Sequence, residues 1–332
     1  MRNRTGLVAG FIILLGVLSI TGSPQLALAA SDCTFTEDPD TLTMALDADC
    51  MTDETIGIPD GWTLDGQGHA ITAVDPTGSH FTGAVVANEG VEAYVTQLTV
   101  RAEGLSNACD GGADRLRGIM LEGASGAITH STILDINQGA SGCQEGNAIE
   151  IRNEPFDGTH PNTTIVEIAH NSIERYQKTG IVANGDVDVS IQHNTVGASA
   201  TQANLAANSI QLGFGAMGSV LHNLIDGNQW LGTSDFAATA ILVFEASEGV
   251  AVSQNNVRGN SDVGIYILAD AGIYDNNKVF DEGEDGPHGD YGLLNDGVDN
   301  LITNNKVRGF DTPYDGVEVG KNKSIPGPQD FD

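Results

Sequence analysis

A short strand pattern that returns every 24 to 32 residues constrains this chain more than any other feature of its sequence. Each copy begins with a small residue and continues with alternating apolar side chains, which is typical of a β-strand. The copies start at Gly118, Ala148, Gly180, Ser209, Ala240, Gly264, Gly292 and Gly316. A repeat of about 20 to 50 residues indicates a solenoid or a propeller.

A second repeated element lies between these strands and carries an asparagine two residues before a branched aliphatic residue. Its copies read VEIAHNSI, VSIQHNTV, SVLHNLI, VAVSQNNV, GIYDNNKV and NLITNNKV. We assign to the shared position Asn171, Asn194, Asn223, Asn256, Asn277 and Asn305. Amide side chains stacked in this way can hydrogen-bond along the stack. One such residue per repeat favours a coil of parallel strands, because a propeller blade needs four antiparallel strands in about 40 to 50 residues.

These strand starts and asparagine corners resemble those of the right-handed parallel β-helix proteins of the pectate-lyase-like superfamily, from about Thr41 to Val319. The stretch IGIPDGWTLDGQGHAITAV is similar to the first coil of that superfamily, with LDGQG as the turn between two strands. We therefore predict an all-β protein, a single-domain right-handed parallel β-helix solenoid over residues 31–332, with the repeats clearest over 118–320. Its core ladder should consist of Ile119, Ile149, Ile181, Ile210, Ile241, Ile265, Leu293 and Val317.

The first 30 residues have the order of a secretory signal peptide. A basic start, MRNR, precedes an apolar run and the small-residue segment TGSPQLALAA. We predict cleavage after Ala29 or Ala30, no membrane span in the mature chain, and secretion to the medium or the cell surface. Four cysteines fit such an oxidising compartment and allow three pairings. We favour the pairs nearest in sequence, which are Cys33 with Cys50 and Cys109 with Cys143.

The mature chain is strongly acidic. Removing Arg2 and Arg4 leaves 12 basic against 45 acidic residues, a net charge of −33. Such a charge repels nucleic acid and anionic membranes, so neither is an expected partner. Six of the 12 basic residues lie between positions 101 and 178, which makes this segment the least repulsive for an anionic chain. We predict a monomer whose partner is an extracellular polysaccharide.

Polar side chains of the coils that begin at Gly118, Ala148 and Gly180 form the candidate site. The resemblance implies the chemistry of calcium-dependent β-helix lyases, in which a lysine removes the proton next to a uronate carboxyl, an arginine assists, and calcium neutralises the carboxylate. By position, the catalytic residues are Lys178 as base, with Arg117 and Arg152 as acid or clamp. The substrate-binding residues are Arg115, Gln177, Asn184 and Gln211. The calcium ligands are Glu145, Asn147 and Glu150.

Other interpretations remain open beside this lyase hypothesis. A glycoside hydrolase could use Glu145 with Glu150, or Asp290 with Asp315. A uronan epimerase is suggested by GPHGDYG around His288, although that motif lacks a leading aspartate. A non-catalytic carbohydrate-binding or structural solenoid could use the outward row Leu242, Phe244, Tyr266 and Leu268, which could equally lie under a loop. An exposed Glu122–Arg152 ion pair would be structural only, and the acidic loop at 281–286 is either a calcium loop or merely solvated.

Overall fold

The computed structural model describes residues 31–102, 104–139, 142–156, 160–200, 205–233, 236–283 and 286–325. The predicted signal peptide lies outside these residues. Within them the chain winds into a coil in which each turn contributes one strand to each of three sheets. Two short 3₁₀ helices, Gly112–Asp114 and Val319–Lys321, interrupt the coil. No helix in the described residues is long and apolar enough to cross a bilayer.

The strands of the three sheets follow one another in regular order along the chain. Sheet 1 contains β1 Phe35–Asp38, β2 Thr43–Leu46, β5 Trp62–Asp65, β8 Glu92–Thr96, β11 Ser125–Thr129, β14 Thr164–Ala169, β17 Val187–Gln192, β20 Met217–Leu221, β23 Ala251–Ser253, β26 Ile273–Asp275 and β29 Leu301–Thr303. Sheet 2 contains β3 Cys50–Thr52, β6 Ala70–Ala73, β9 Thr99–Ala102, β12 Thr132–Leu134, β15 Ser172–Glu174, β18 Thr195–Val196, β21 Leu224–Asp226, β24 Asn256–Arg258, β27 Lys278–Phe280, β30 Lys306–Arg308 and β32 Lys323–Ile325. Sheet 3 contains β4 Ile56–Ile58, β7 Ala84–Asn88, β10 Arg117–Glu122, β13 Asn147–Arg152, β16 Thr179–Asn184, β19 Asn208–Gly213, β22 Thr239–Phe244, β25 Val263–Leu268, β28 Tyr291–Asn295 and β31 Thr312–Asp315.

Neighbouring coils pair in parallel and in register, which confirms the predicted right-handed parallel β-helix. In sheet 3, Ile119 pairs with Ile149, and Ile149 pairs with Ile181. The same row continues through the next four coils, and all of its members from Ile119 to Leu293 are fully buried. Only the hairpin of β1 and β2 is antiparallel among the named strands of the described chain, and it covers the first coil. The predicted LDGQG turn joins β5 to β6 as expected.

The small residue at each strand start reflects the close approach of the next coil. A Cβ atom added at Gly118 would lie 2.5 Å from the carbonyl oxygen of Ala148, and one at Gly180 would lie 2.6 Å from that of Ser209. Real Cβ atoms do not approach other atoms so closely. Larger side chains at these two positions would therefore push the coils apart, which explains why the repeat begins with glycine there.

The predicted start of the last strand, at Gly316, is wrong by a few residues. Tyr314 pairs with Leu293, and β31 ends at Asp315. Gly316 follows the strand with a φ of +65°, a left-handed conformation that belongs to a turn. Val317 is therefore not the next residue of the core ladder, although it packs against the edge of the core.

The asparagine ladder is present, but it passes through Asn255 rather than the predicted Asn256. The amide nitrogen of Asn255 donates to Oδ1 of Asn277 at 3.0 Å, whereas Asn256 is the exposed first residue of β24. The sequence has two adjacent asparagines at this corner, Asn255 and Asn256. Only Asn255 lies two residues before the branched aliphatic Val257, as the other ladder asparagines do before theirs. The ladder also runs one coil further than predicted, to Asn322.

Both predicted disulfides are present. Cys33 bonds to Cys50 near the start of the coil. Cys109 bonds to Cys143 and so joins two loops that precede β10 and β13. These loops lie against the outer face of sheet 3, where the candidate site was predicted.

Candidate functional site

A polar cleft of about 350 Å³ lies over the outer face of sheet 3, where β13, β16 and β19 run side by side. It is lined by Arg115, Gln144, Asn147, Glu150, Phe156, Lys178, Thr179, Val182, Asn184, Gln211 and Phe214. Six of the ten predicted site residues are in this lining, so the structure brings them together. The other four, Arg117, Arg152, Glu145 and Gln177, are buried beside the cleft rather than lining it.

Lys178 immediately precedes β16 and is the cationic group of the cleft closest to that strand. Its backbone N–H donates to the carbonyl of Gly146 at 3.1 Å, which holds the residue against the previous coil. The Nζ atom donates to the carbonyl oxygen of Ala206 at 2.6 Å. Burial lowers the pKa of Lys178 to about 8. A substantial fraction of the amine is therefore unprotonated near neutral to mildly alkaline pH.

Glu150 lies in the body of β13 and is the centre of a buried ion cluster. The Nε atom of Arg117 donates to Oε2 of Glu150 at 2.6 Å, and the amide of Asn147 donates to the same oxygen at 2.8 Å. Nη1 of Arg152 lies 3.7 Å from Oε1 of Glu150. The charge of the Glu150 carboxylate, which lines the cleft, is thus neutralised by the buried guanidinium groups of Arg117 and Arg152.

The two buried arginines have further partners that fix their positions. Arg117 also donates to the carbonyls of Gly112, Ala113 and Arg115, so it holds the loop before β10. Arg152 donates through Nε and Nη2 to Oε2 of Glu122, at 3.1 and 2.5 Å. The Glu122–Arg152 pair was expected to be exposed, but the arginine is only 2% exposed. The strand pattern alone contains no information about this burial.

Glu145 and Gln177 support loops. The two carboxylate oxygens of Glu145 accept backbone N–H groups from Asp110 and Leu116, at 3.1 and 2.8 Å. The amide of Gln177 donates to the carbonyl of Cys143 at 2.9 Å, and its oxygen accepts from the backbone N–H of Gln138. Both side chains therefore satisfy buried backbone groups around the Cys109–Cys143 disulfide.

Calcium does not fit the three side chains proposed as its ligands. Glu145 uses both oxygens for backbone N–H groups, and Glu150 is held between arginines. A divalent cation needs several free oxygens and would be repelled by the adjacent guanidinium groups.

Three polar atoms at the cleft have no hydrogen-bond partner among the described residues. They are Nε of Arg115, Oδ1 of Asn147 and Oδ1 of Asn184, and all three are buried. Buried polar atoms in folded proteins nearly always have a partner. These three mix donor and acceptor character, as a hydroxylated ligand would require. Beside them, Oε1 of Gln211 accepts from the amide of Asn208 at 3.0 Å, which orients the Gln211 side chain.

Two phenylalanines at the cleft were not predicted as site residues. The rings of Phe156 and Phe214 lie 5.2 Å apart, and each side chain remains 37% exposed. Phe214 also meets Phe244 edge to face at 5.4 Å. Phe214 directly follows β19, which carries the predicted site residue Gln211, so its position next to the site could have been predicted from the repeat. Phe156 lies in a loop without periodicity, and the sequence carried no comparable signal for it.

Apart from Glu145 and Glu150, the residues of the other interpretations lie outside this cleft. A second cleft, of about 370 Å³, is lined by Phe236, Tyr266, Tyr291 and His288 among others. Nε2 of His288 is 2.5 Å from the carbonyl oxygen of Gly232. Asp290 is buried and accepts the backbone N–H of Asp311, whereas Asp315 is exposed at the end of β31. Part of the acidic loop at 281–286 lies outside the described residues. The row Leu242, Phe244, Tyr266 and Leu268 is partly exposed.

Comparison with known proteins supports the architecture. No protein-family model and no curated protein matches the chain. Among solved structures, the chain is similar to the Dettilon tailspike protein (gp208), with 12% identity and a TM-score of 0.51 over 86% of this chain and 61% of that one. The chain thus spans about three fifths of the tailspike's length. It also matches PfbA, a surface adhesin of Streptococcus pneumoniae, with 12% identity and a TM-score of 0.33 over 85% of this chain and 73% of that one. The tailspike likeness shows a shared parallel β-helix fold.

Proposed function

We propose that this protein is a secreted β-helix protein that binds an acidic extracellular polysaccharide in the cleft over β13, β16 and β19 and cleaves it by β-elimination. One observation carries the proposal. The amine of Lys178, whose pKa is lowered to about 8, shares a cleft with the unpartnered polar atoms of Arg115, Asn147 and Asn184. A group that can act as a base near neutral pH thus lies among groups that require a polar ligand.

Secretion belongs to the same proposal. The signal-like residues 1–30 and the two disulfides support an oxidising, extracytoplasmic location. A long parallel coil offers an extended face on which a chain-like ligand can lie, which suits a polysaccharide better than a small molecule.

The elimination uses few protein groups. Neutral Lys178 removes the proton from the carbon next to the uronate carboxyl. The electron pair of that C–H bond forms a carbon–carbon double bond, the glycosidic C–O bond breaks, and the departing oxygen takes a proton from water. The products are a saturated end and an unsaturated uronate end. No oxidant or reductant is needed.

Local charge favours an anionic ligand in spite of the acidic surface. Arg115 and Lys178 line the cleft, and the one carboxylate in its lining, Glu150, is paired with Arg117. We assign Arg115 to the substrate carboxylate because its Nε has no described partner. Arg117 and Arg152 then act as supports that neutralise Glu150, rather than as an acid or a clamp in direct contact with the sugar.

The test is product formation by the mature chain, residues 31–332, on a panel of uronic-acid and neutral polysaccharides. We expect ultraviolet absorbance from unsaturated product on at least one uronate polymer. Lys178→Met should lower that rate by about 100-fold or more, since a positioned base contributes roughly 10² to 10⁴. Lys278→Met, which removes an exposed lysine from β27, is the matched control and should leave the rate unchanged. Equal rates for wild type and Lys178→Met would contradict the assignment of the base.

A second candidate function, binding without cleavage, rests on the aromatic group at the cleft. Phe156, Phe214 and Phe244 form a contiguous, partly exposed cluster on which a sugar ring could stack. If this is the function, wild type retains a polysaccharide on an affinity gel without releasing unsaturated product. The double substitution Phe156→Ala and Phe214→Ala then abolishes retention, while Lys178→Met does not change the chemistry because none occurs.

A further inference from the structure

Four histidines on successive coils form a stack along one corner of the solenoid. His130, His170, His193 and His222 each lie between a strand of sheet 1 and the next strand of sheet 2. Their ring centroids are 5.0, 5.2 and 5.1 Å apart, and the planes of successive rings differ by 20°, 4° and 1°. All four residues are exposed. The stack, called the histidine ladder below, is on a different corner from the Lys178 cleft on sheet 3.

The backbone does not require histidine at this position. Each member of the ladder has a φ between 51° and 60°, and histidine tolerates this left-handed region better than most residues. On the other coils the same corner is occupied by glutamine or asparagine with an equivalent φ: Gln97, Gln254, Asn276 and Asn304. Amide residues therefore serve the turn equally well. The four consecutive imidazoles need a reason beyond the turn.

The imidazole nitrogens are available to a ligand. In the described part of the chain, no protein hydrogen bond involves a ring nitrogen of His170, His193 or His222, or of His130, whereas the rings of His80 and His288 do have such partners. Imidazole is the preferred nitrogen ligand of Zn²⁺, Cu²⁺ and Ni²⁺ in proteins. The net charge of −31 for the whole sequence also raises the local concentration of cations around the molecule.

We infer that the histidine ladder is a binding site for divalent transition metal ions, with each ion held between the rings of two neighbouring coils and completed by water. A zinc–nitrogen bond of about 2.0–2.1 Å requires the two ligand nitrogens to approach to about 3.4 Å. Because the parallel rings are about 5 Å apart, both must rotate toward each other around the Cβ–Cγ bond. Exposed side chains are free to make this rotation. Four rings provide two such pairs, so at most two ions bind.

The ligand set also predicts selectivity. Nitrogen donors favour Cu²⁺ over Ni²⁺ and Zn²⁺ and leave Ca²⁺ and Mg²⁺, which prefer oxygen, unbound at the ladder. Binding through the many surface carboxylates would extend to Ca²⁺ and Mg²⁺ as well, since these ions prefer oxygen ligands. The absence of Ca²⁺ binding, together with nitrogen ligands on the bound Cu²⁺, therefore separates the ladder from general attraction to an acidic surface.

The experiment is calorimetric titration of the untagged mature protein with CuCl₂, NiCl₂, ZnCl₂ and CaCl₂, together with electron paramagnetic resonance of the Cu²⁺ complex. The decisive variant is His170→Asn with His193→Asn, which leaves no two adjacent rings in the ladder. Asparagine already occupies this corner at Asn276 and Asn304, so the variant should keep its melting temperature. We expect Cu²⁺ affinity to fall at least tenfold and the nitrogen hyperfine signal to disappear.

A second variant tests whether an added histidine increases metal binding. Gln254→His places a fifth ring on the coil after His222. It adds one more neighbouring pair and should raise the affinity for Cu²⁺, while the maximum stays at two ions. As a control, His69→Asn removes a histidine outside the ladder and should change neither. The inference is overturned if wild type binds no transition metal, if the bound Cu²⁺ shows oxygen ligands only, or if the double variant binds as wild type does. None of these outcomes depends on whether the Lys178 cleft is catalytic.

Discussion

Nε of Arg117 donates a hydrogen bond to Oε2 of Glu150 at 2.6 Å, and both side chains are at most 3% exposed. This pair lies directly beneath the cleft and connects β10 to β13. It also ties the loop before β10 to the sheet, because the same guanidinium donates to the carbonyls of Gly112, Ala113 and Arg115. The pair therefore determines the shape of one wall of the cleft.

Removing one partner of this pair should destabilise the fold strongly. Glu150→Gln leaves the Arg117 guanidinium without its buried counter-charge, a change that costs about 3–5 kcal/mol in comparable buried pairs. Arg117→Met should cost a similar amount, since it leaves the carboxylate uncompensated. The double variant should cost less than the sum of the single changes, because neither buried charge remains alone. Urea denaturation of the four proteins gives the free energies, and strict additivity would show that the two residues do not depend on each other.

The pH dependence of cleavage should report the lowered pKa of Lys178. The base must be neutral to accept a proton, so kcat/KM should rise with pH and reach half of its plateau value near pH 8. Initial rates of unsaturated product formation between pH 6 and 10 measure this profile. A lysine with an ordinary pKa of about 10.4 would instead place the midpoint of this rise near pH 10.4. A profile that falls through this range would exclude Lys178 as the base.

Asp262 should make the fold less stable as pH rises from about 4 to 6. Burial raises the pKa of Asp262 to about 6, although its Oδ2 accepts backbone N–H groups from Trp230 and Ala238. Between about 3.8 and 6 the unfolded carboxyl is ionised while the folded one holds its proton, so the folded state binds more protons in this window. Its stability must then fall as pH increases, by roughly 2–3 kcal/mol in total.

Asp262→Asn provides the comparison for that effect. Its amide oxygen can accept the same two N–H groups without titrating. The difference in free energy of unfolding between wild type and Asp262→Asn should therefore slope between pH 4 and 6 and be constant above pH 7. A difference that does not change with pH would show that the carboxyl titrates in the ordinary range.

The rows of side chains on sheet 3 could be predicted from the sequence, whereas their burial could not. Each strand shows its own in-and-out alternation, and the repeat aligns each strand with the next. The alignment of Glu150 with Val182, and of Arg152 with Asn184, therefore follows from the sequence. The loops between strands have no periodicity. Phe156, which lines the cleft, lies in the loop that follows β13.

The histidine ladder shows a different limit of the sequence prediction. The histidines stand directly before the asparagines in VEIAHNSI, VSIQHNTV and SVLHNLI, so their alignment was present in the repeat. The apolar and asparagine positions alone predict the fold and give the histidines no role. Their ring separations depend on backbone conformation and rotamer together, and these required the structure.

The asparagine ladder predicts a large difference in stability between substitution of an asparagine inside the ladder and substitution of an exposed asparagine outside it. Asn223 donates from Nδ2 to the carbonyl of Ile191 and to Oδ1 of Asn255, and its own Oδ1 accepts from the backbone and amide of Asn194. Asn223→Ala leaves several buried groups without partners, each costing about 1–3 kcal/mol, so we expect a loss of at least about 3 kcal/mol. Asn256→Ala changes an exposed residue on the next coil and should stay within about 0.5 kcal/mol of wild type.

Urea denaturation of these two variants measures both effects under the same conditions. The contrast tests the register of the ladder, because the sequence assignment had Asn256 as a member and the structure has Asn255 in that place. Asn255→Ala should therefore behave like Asn223→Ala, since its amide also joins two neighbouring asparagines and the carbonyl of Val220. If Asn256→Ala were the more damaging of the two adjacent substitutions, the corner between β23 and β24 would be shifted by one residue. That shift would also move Gln254 out of line with His222, so the stability measurement bears directly on where a fifth ring could extend the histidine ladder.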